Sequence, residues 1–429
     1  MSITQRLTEQ FSEDALLNCM RCGFCLSACP TYRLSEVESA SPRGRIALMR
    51  AVHEGKLELQ EIAPKLDACL GCRACEVVCP AGVTYGQLLE EGRAAIAEVR
   101  PNPWPVRFAY RWILGTPGGI RLAGWGLWLY QKLGLQAAAR SLGLIEKIGG
   151  PGLAAMEQAL PAAASPVARA ARRRITPAQS EKKARVAFFT GCISDIAFFE
   201  TNQNSIAVLA AAGCDVEIPT GQGCCGAVHA HAGEHALAVA QAKRNIAAFE
   251  QGGYDYVVNS AGGCGGALKE YGKLLAGDPG WAERAAKFSR ACRDFSELVA
   301  ALGAPPLGEV AGTFTYQDSC HLRNVQRITA QPRALLKALP GARYVELPEA
   351  DQCCGAAGTY AVTQAEGSDR ILSRKMKHVV ATGADTVVVV NPPCHLEMIE
   401  GVQRAGLADK IKVRHLADIL AESIRNKER

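Results

Sequence analysis

The chain has 429 residues, 48% of them hydrophobic, and a formal net charge of +6; it is too long for one ordinary core and apolar enough to bury two to four domains. The basic excess gathers at Arg172, Arg173, Arg174, Lys182, Lys183 and Arg185 with no interleaved aromatics, which reads as a solvated linker and argues against a nucleic-acid partner. Residues 1 to 18 are polar and amphipathic, without the apolar run of a Sec signal, so eighteen cysteines point to metal or redox chemistry in the cytoplasm and exclude an exported disulfide scaffold.

Residues 1–100 form the first expected domain. Cys19, Cys22, Cys25 and Cys29 are followed by Cys69, Cys72, Cys75 and Cys79, and both runs read C-x2-C-x2-C-x3-C-P, ending in Pro30 and Pro80. This spacing places four thiolates around an iron-sulfur cubane, the fourth cysteine of each run crossing to the other cluster. Cys19, Cys22, Cys25 and Cys79 are therefore expected to hold one [4Fe-4S] cluster, and Cys69, Cys72, Cys75 and Cys29 a second. Zinc modules instead space two ligand pairs apart. Gly23 and Gly71 let the loops pass close to the sulfides. Between the runs, SPRGRIALMRAVHEGKLE reads as a helix opened by Ser41-Pro42. Arg43 and Arg45 at its start are readable as contacts to cluster-bearing backbone, as contacts to a partner, or as solvated charges.

Residues 101–150 carry four of the five tryptophans, Trp104, Trp112, Trp125 and Trp128, and the longest uncharged stretch among them, between Arg121 and Lys132, is ten residues. That is too short to span a bilayer. It suits a helix at a membrane interface or in a partner's groove, or a hairpin packed on its own domains. Residues 151–184 are rich in Ala, Pro and basic side chains and read as a linker.

From Arg185 the pattern alternates. RVAFFTGC, CDVEIP and YDYVVNSAGGC are expected strands, with NSIAVLAAAG and EHALAVAQAKRNIAAFEQGG as helices; TFTYQDSC, ARYVELP and ADTVVVVNPPC repeat the order, separated by QPRALLKALPG and SDRILSRKMKHVVATG. Strands alternating with helices mean parallel α/β sheets. Cys192, Cys224-Cys225-Gly226 and Cys264 recur as Cys320, Cys353-Cys354-Gly355 and Cys394, with 31 and 38 intervening residues in the first copy and 32 and 39 in the second. This is an internal duplication, over 185–311 and 312–429. Cofactors sit at the carboxyl edge of such sheets, so four cysteines per copy are expected to converge on a metal: iron-sulfur, zinc or a redox-active thiol pair all satisfy four sulfurs. His321 and His395 follow Cys320 and Cys394 and read as loop histidines or tuning groups; His229, His231 and His235 read as a solvated helix start or, alternatively, as metal ligands. Cys214 and Cys292 lack repeat counterparts and read as core residues.

CMRCGFCLSACPTYR, CLGCRACEVVCPAGV, the paired Cys-Cys-Gly units, CCGAAGTYAVTQ and LSRKMKHVVATGAD resemble the iron-sulfur subunits of bacterial glycolate oxidase. The resemblance implies an α-helical ferredoxin-like 2[4Fe-4S] domain followed by a duplicated α/β Cys-Cys-Gly domain. It also implies an electron-transfer subunit beside FAD-containing dehydrogenase subunits that oxidise glycolate to glyoxylate, peripheral on the inner face of the membrane, with electrons passing toward a quinone. No flavin or nicotinamide fingerprint is present, as GGCGGALKEYG lacks the dinucleotide spacing. Lactate and glycerol-3-phosphate oxidising systems are the alternatives. The Cys-Cys-Gly region is also similar to heterodisulfide reductases, but Ala267 and Glu397 stand where their fuller motif has a further cysteine.

Overall fold

A computed structural model describes residues 13–428; the opening of the amphipathic stretch read at residues 1 to 18 lies outside them. The N-terminal unit is helical. Ser41 caps the helix Pro42–His53 by accepting from the Gly44 amide at 3.0 Å, with Pro42 in the first turn, where its missing N–H costs nothing. Helices Leu59–Asp67 and Tyr85–Val99 pack on it around Met49, Ile62, Leu66 and Leu88. Cys69 and Cys75 join this core directly.

The C-terminal half holds two sheets. Strands β1 (Ile175–Thr176), β2 (Ala184–Phe188), β3 (Cys214–Glu217), β4 (Tyr256–Asn259) and β5 (Cys292–Asp294) are ordered β1-β3-β2-β4-β5. Strands β6 (Gly312–Tyr316), β7 (Ala342–Tyr344), β8 (Thr386–Val389) and β9 (Lys412–His415) are ordered β7-β6-β8-β9. All pairings are parallel except the short antiparallel β1. Helices cover the parallel strands, so Val387, Val388 and Val389 are completely buried in succession.

The duplication in sequence is a pseudo-twofold in space. Helix Phe199–Ala211 of the first repeat packs on Leu416–Glu428 of the second, and Phe295–Leu302 packs reciprocally on Ala330–Lys337. Thr201 and Asn204 each donate to the Asp418 carboxylate at 2.9 Å. One core runs through both sheets, from Val186, Phe188 and Val258 to Phe314, Tyr316 and Val388. Cys214 and Cys292 are fully buried.

The segment rich in tryptophan forms helices Trp104–Phe108, Pro117–Lys132, Leu135–Ser141 and Leu144–Gln158, with a π-helical turn at Ala109–Leu114. One face docks on the first repeat: the Gly115 carbonyl accepts from Gln241 and Arg244, each at 2.8 Å. The other face leaves Trp104, Phe108, Trp112, Leu122, Leu133 and Ile148 exposed. No helix among the described residues is long and apolar enough to cross a membrane.

Within 151–184, the helix Pro166–Ala171 and β1 attach the chain to the first repeat, and Arg169 and Arg172 both reach the buried Asp195 carboxylate. Asp195→Ala would strand the Arg169 guanidinium, which is 8% exposed. Leaving one partner of a buried pair unmatched costs about 3–5 kcal/mol. The expected result is early proteolytic cleavage at 160–184 and a lower thermal midpoint; a wild-type melting curve would contradict it.

Candidate metal centres

In each N-terminal loop the residues flanking the middle cysteine are left-handed. Arg21 (φ 54°) and Gly23 (φ 91°) bracket Cys22; Gly71 (φ 62°) and Arg73 (φ 59°) bracket Cys72. Such alternation curls the backbone so that amide N–H groups turn inward, a concavity suited to anions. The Gly71 N–H donates to the Cys69 sulfur at 3.4 Å. Sequence spacing identified the two glycines; the matching arginines carry no signal, because positive φ at Arg is set by the loop.

Cys19, Cys22, Cys25, Cys75 and Cys79 line one hollow. The Cys29 charge acts on Cys72 and Cys75 of the other loop and on Cys25 of its own. Burial and neighbouring thiolates push Cys72 and Cys75 well above the ordinary thiol range. Cys69 is the exception. Against the burial that would raise it, the charges of Arg45 and Arg93 and the Tyr85 hydroxyl hold it below.

Arg45 is wholly buried and donates to the Lys65 carbonyl at 2.7 Å, the Ala68 carbonyl at 3.4 Å and Thr31 at 3.2 Å. Arg43 donates to the Arg21 carbonyl at 3.0 Å and pairs with Glu38 at 2.7 Å. Both arginines thus brace the backbone of the cysteine-bearing loops.

In the repeats, Cys192, Cys224, Cys225 and Cys264 act on one another's ionisation as neighbours in series, and Cys320, Cys353, Cys354 and Cys394 do so in the same order. Cys192 and Cys224 sulfurs are 3.7 Å apart. The first cysteine of each copy follows a strand, as read from sequence. Cys264 and Cys394 lie further on, in the first turns of helices Gly262–Leu274 and Pro392–Arg404. Among the described residues no three His, Cys, Asp or Glu side chains are already closed around an ion-sized point. The four-sulfur donor sets fit a cluster or a soft metal that draws them together.

The second repeat meets the N-terminal domain at its sulfurs. Cys72 and Cys353 share a small core with Leu70, Tyr360 and Ile371, with Cys320 packed against it. Asn324 donates to the Cys72 carbonyl at 2.8 Å. Glu349 fastens the same face, accepting from Arg33 at 2.6 Å and Arg374 at 2.8 Å. Although burial opposes ionisation, these arginines hold its carboxyl down at about 2. Glu397 is buried, accepts from the Ser368 hydroxyl at 2.8 Å, and is pushed up to about 7 by burial.

The histidines divide. His229 is fully buried and its Nε2 donates to the Tyr110 carbonyl at 3.0 Å, so it keys the tryptophan segment to the Cys-Cys-Gly loop and is no solvated helix start. His231 lies 3.2 Å from Glu90, and its ring is 5.4 Å from that of His321. Burial, aided by the charges of His231 and Arg73, pushes His321 down to about 3. His395 is buried against Phe198 and bonds the Val413 carbonyl at 3.2 Å. Burial and the charge of His415 lower it to about 4. His231, His235 and His321 border one cavity.

Comparison with known proteins agrees with this layout. A 4Fe-4S dicluster domain model matches residues 15–83, and a cysteine-rich domain model matches 186–269 and 314–399. A model described as the linker region of the glycolate oxidase iron-sulfur subunit matches 102–160. A probable glycolate oxidase iron-sulfur subunit of Bacillus subtilis is 45% identical over 99% of this chain and 98% of its own length. The glycolate oxidase iron-sulfur subunit of Escherichia coli is 30% identical over 98% of both chains. Lactate utilization protein A of Oceanobacillus iheyensis is 33% identical over 55% of this chain and 96% of its own. With a dicluster domain, two cysteine-rich repeats and full-length similarity in one arrangement, the chain is an iron-sulfur electron-transfer protein belonging to the glycolate oxidase iron-sulfur subunit family.

Proposed function

We propose that this chain takes electrons one at a time from a flavoprotein partner that oxidises glycolate to glyoxylate, and passes them toward a quinone at the membrane. Two [4Fe-4S] clusters, one on Cys19, Cys22, Cys25 and Cys79 and one on Cys69, Cys72, Cys75 and Cys29, supply one-electron chemistry that a hydride carrier lacks. The observation that carries the reading is the packing of Cys72 against the Cys320–Cys353 pair. Two sulfurs of the second repeat's set thereby abut a ligand of the second cluster, which favours iron-sulfur over zinc at Cys320, Cys353, Cys354 and Cys394. Cys192, Cys224, Cys225 and Cys264 form the equivalent site in the first repeat.

The linker match at 102–160 and the full-length relatives favour glycolate over lactate, since the lactate utilization relative covers only 55% of the chain. The exposed face of 104–153 supports a peripheral membrane position. Arg107, Arg111, Arg121 and Lys132 stand among its apolar side chains, with no acidic residue from 101 to 145, a composition that suits an anionic bilayer surface.

The test is anaerobic purification from the native host with whatever co-purifies, followed by the visible iron-sulfur absorption as substrates are added. Bleaching by glycolate above that by lactate or glycerol 3-phosphate is the expected result. Preferential bleaching by another substrate moves the chain to a sister complex. No bleaching in a preparation holding flavoprotein and intact clusters overturns the conduit and favours a disulfide reductase.

A further inference from the structure

A cavity of about 620 Å³ lies where the N-terminal domain meets both repeats, within the size range of small-molecule sites. Its walls come from helix Tyr85–Val99, the Cys-Cys-Gly loop of the first repeat and helix Gly262–Leu274. Cys225 reaches it from the first repeat's sulfur set, and His321, next to Cys320, from the second's. Both repeats' metal-ligating loops thus border one chamber.

The lining has two characters. Gly226, Ala227, Ala230, Ala238, Gly263 and Ala267 contribute small side chains, a floor against which a flat ring can lie. The polar lining includes His231, His321 and Glu90. Glu90 and His231 are 3.2 Å apart, with side chains 39% and 33% exposed, so the pair joins the chamber to bulk water. Charge narrows the ligand further. Glu90, Glu91, Glu98 and Glu270 outnumber Arg73 and Lys273, and Arg73 is already tied to Glu76 at 2.9 Å and Glu270 at 2.7 Å. An acidic chamber repels carboxylates and phosphates.

We propose that this cavity is the acceptor site, binding a neutral quinone with its ring on the alanine floor and a carbonyl oxygen hydrogen-bonded to His231. The proposal rests on the conduit function above and adds the place where electrons leave. Quinone plus two electrons and two protons gives hydroquinone. The electrons are those the chain carries from the oxidised hydroxy acid; the protons enter at His231 and are replaced from water through Glu90.

The test is equilibrium dialysis of decylubiquinone against the full-length, cluster-loaded chain, with no substrate or partner added. One saturable site per chain is expected. His231→Leu should raise Kd about tenfold, as one lost hydrogen bond, and Ala230→Phe, which fills the floor, should abolish saturation. Ala267→Leu serves the same purpose if Ala230→Phe fails to load clusters. The anionic 1,4-naphthoquinone-2-sulfonate should bind at least about tenfold more weakly than decylubiquinone. Absence of saturable binding, wild-type Kd in the floor variant, or equal affinity for the sulfonate overturns the proposal. Because binding is read without turnover, it separates from the conduit test: bleaching without quinone binding refutes the cavity alone, and binding without bleaching refutes the conduit alone.

Discussion

Cys22→Ser and Cys79→Ser are each expected to lower bound iron by about four atoms per chain, and the double variant is expected to lose the same four. The two cysteines stand 57 residues apart in sequence but line one hollow with Cys19 and Cys25. If they serve the same cubane, the second substitution has nothing left to remove, and the effects fail to add as they do for groups acting as a unit. If each run instead closed its own cluster, the double variant would lose about eight atoms. Electron flow from substrate to an artificial or quinone acceptor should stop in all three variants, since a conduit broken at one station carries nothing. Iron analysis with low-temperature magnetic resonance reads the first result. Acceptor reduction at the wild-type rate with one cluster gone would sink the conduit itself.

Much of this arrangement is legible before folding, because ligand spacing is a local property of the chain. Both cysteine runs, the Ser41-Pro42 helix start and the order of β2, β3, β4 and their copies β6, β7, β8 follow from patterns within a few residues. The edge strands β5 (CRD) and β9 (KVRH) escape such reading. They are short and charged, and pair only because a central parallel strand offers its free edge. The pseudo-twofold, likewise, follows from how helices of one repeat cover the other, which periodicity within either repeat does not encode. The packing of Cys72 on Cys353 joins residues 281 positions apart. It arises when Asn324 and Glu349 dock the N-terminal domain. The cavity is less legible still: His231 and Glu90 are ordinary surface residues in sequence and acquire meaning only when two domains face each other.

Arg45 is the residue whose three sequence readings the fold separates most sharply, and its substitution is expected to act on both stability and reduction potential. The side chain is fully buried, and the Cys69 and Cys29 thiolates hold its guanidinium charged in spite of that burial. Its fork also satisfies the Lys65 and Ala68 carbonyls ahead of Cys69. Arg45→Leu removes charge and donors together. Breaking such a buried charged contact costs about 3–5 kcal/mol, read as a lower denaturation midpoint of the cluster-loaded chain. The reduction midpoint of the adjoining cluster should move negative, because a nearby cation favours the more negative, reduced state. Arg45→Lys separates the two roles: it keeps the charge and loses the planar fork, so the potential should stay near wild type while the stability loss persists. A wild-type midpoint potential in Arg45→Leu would mean that the guanidinium acts on the backbone alone.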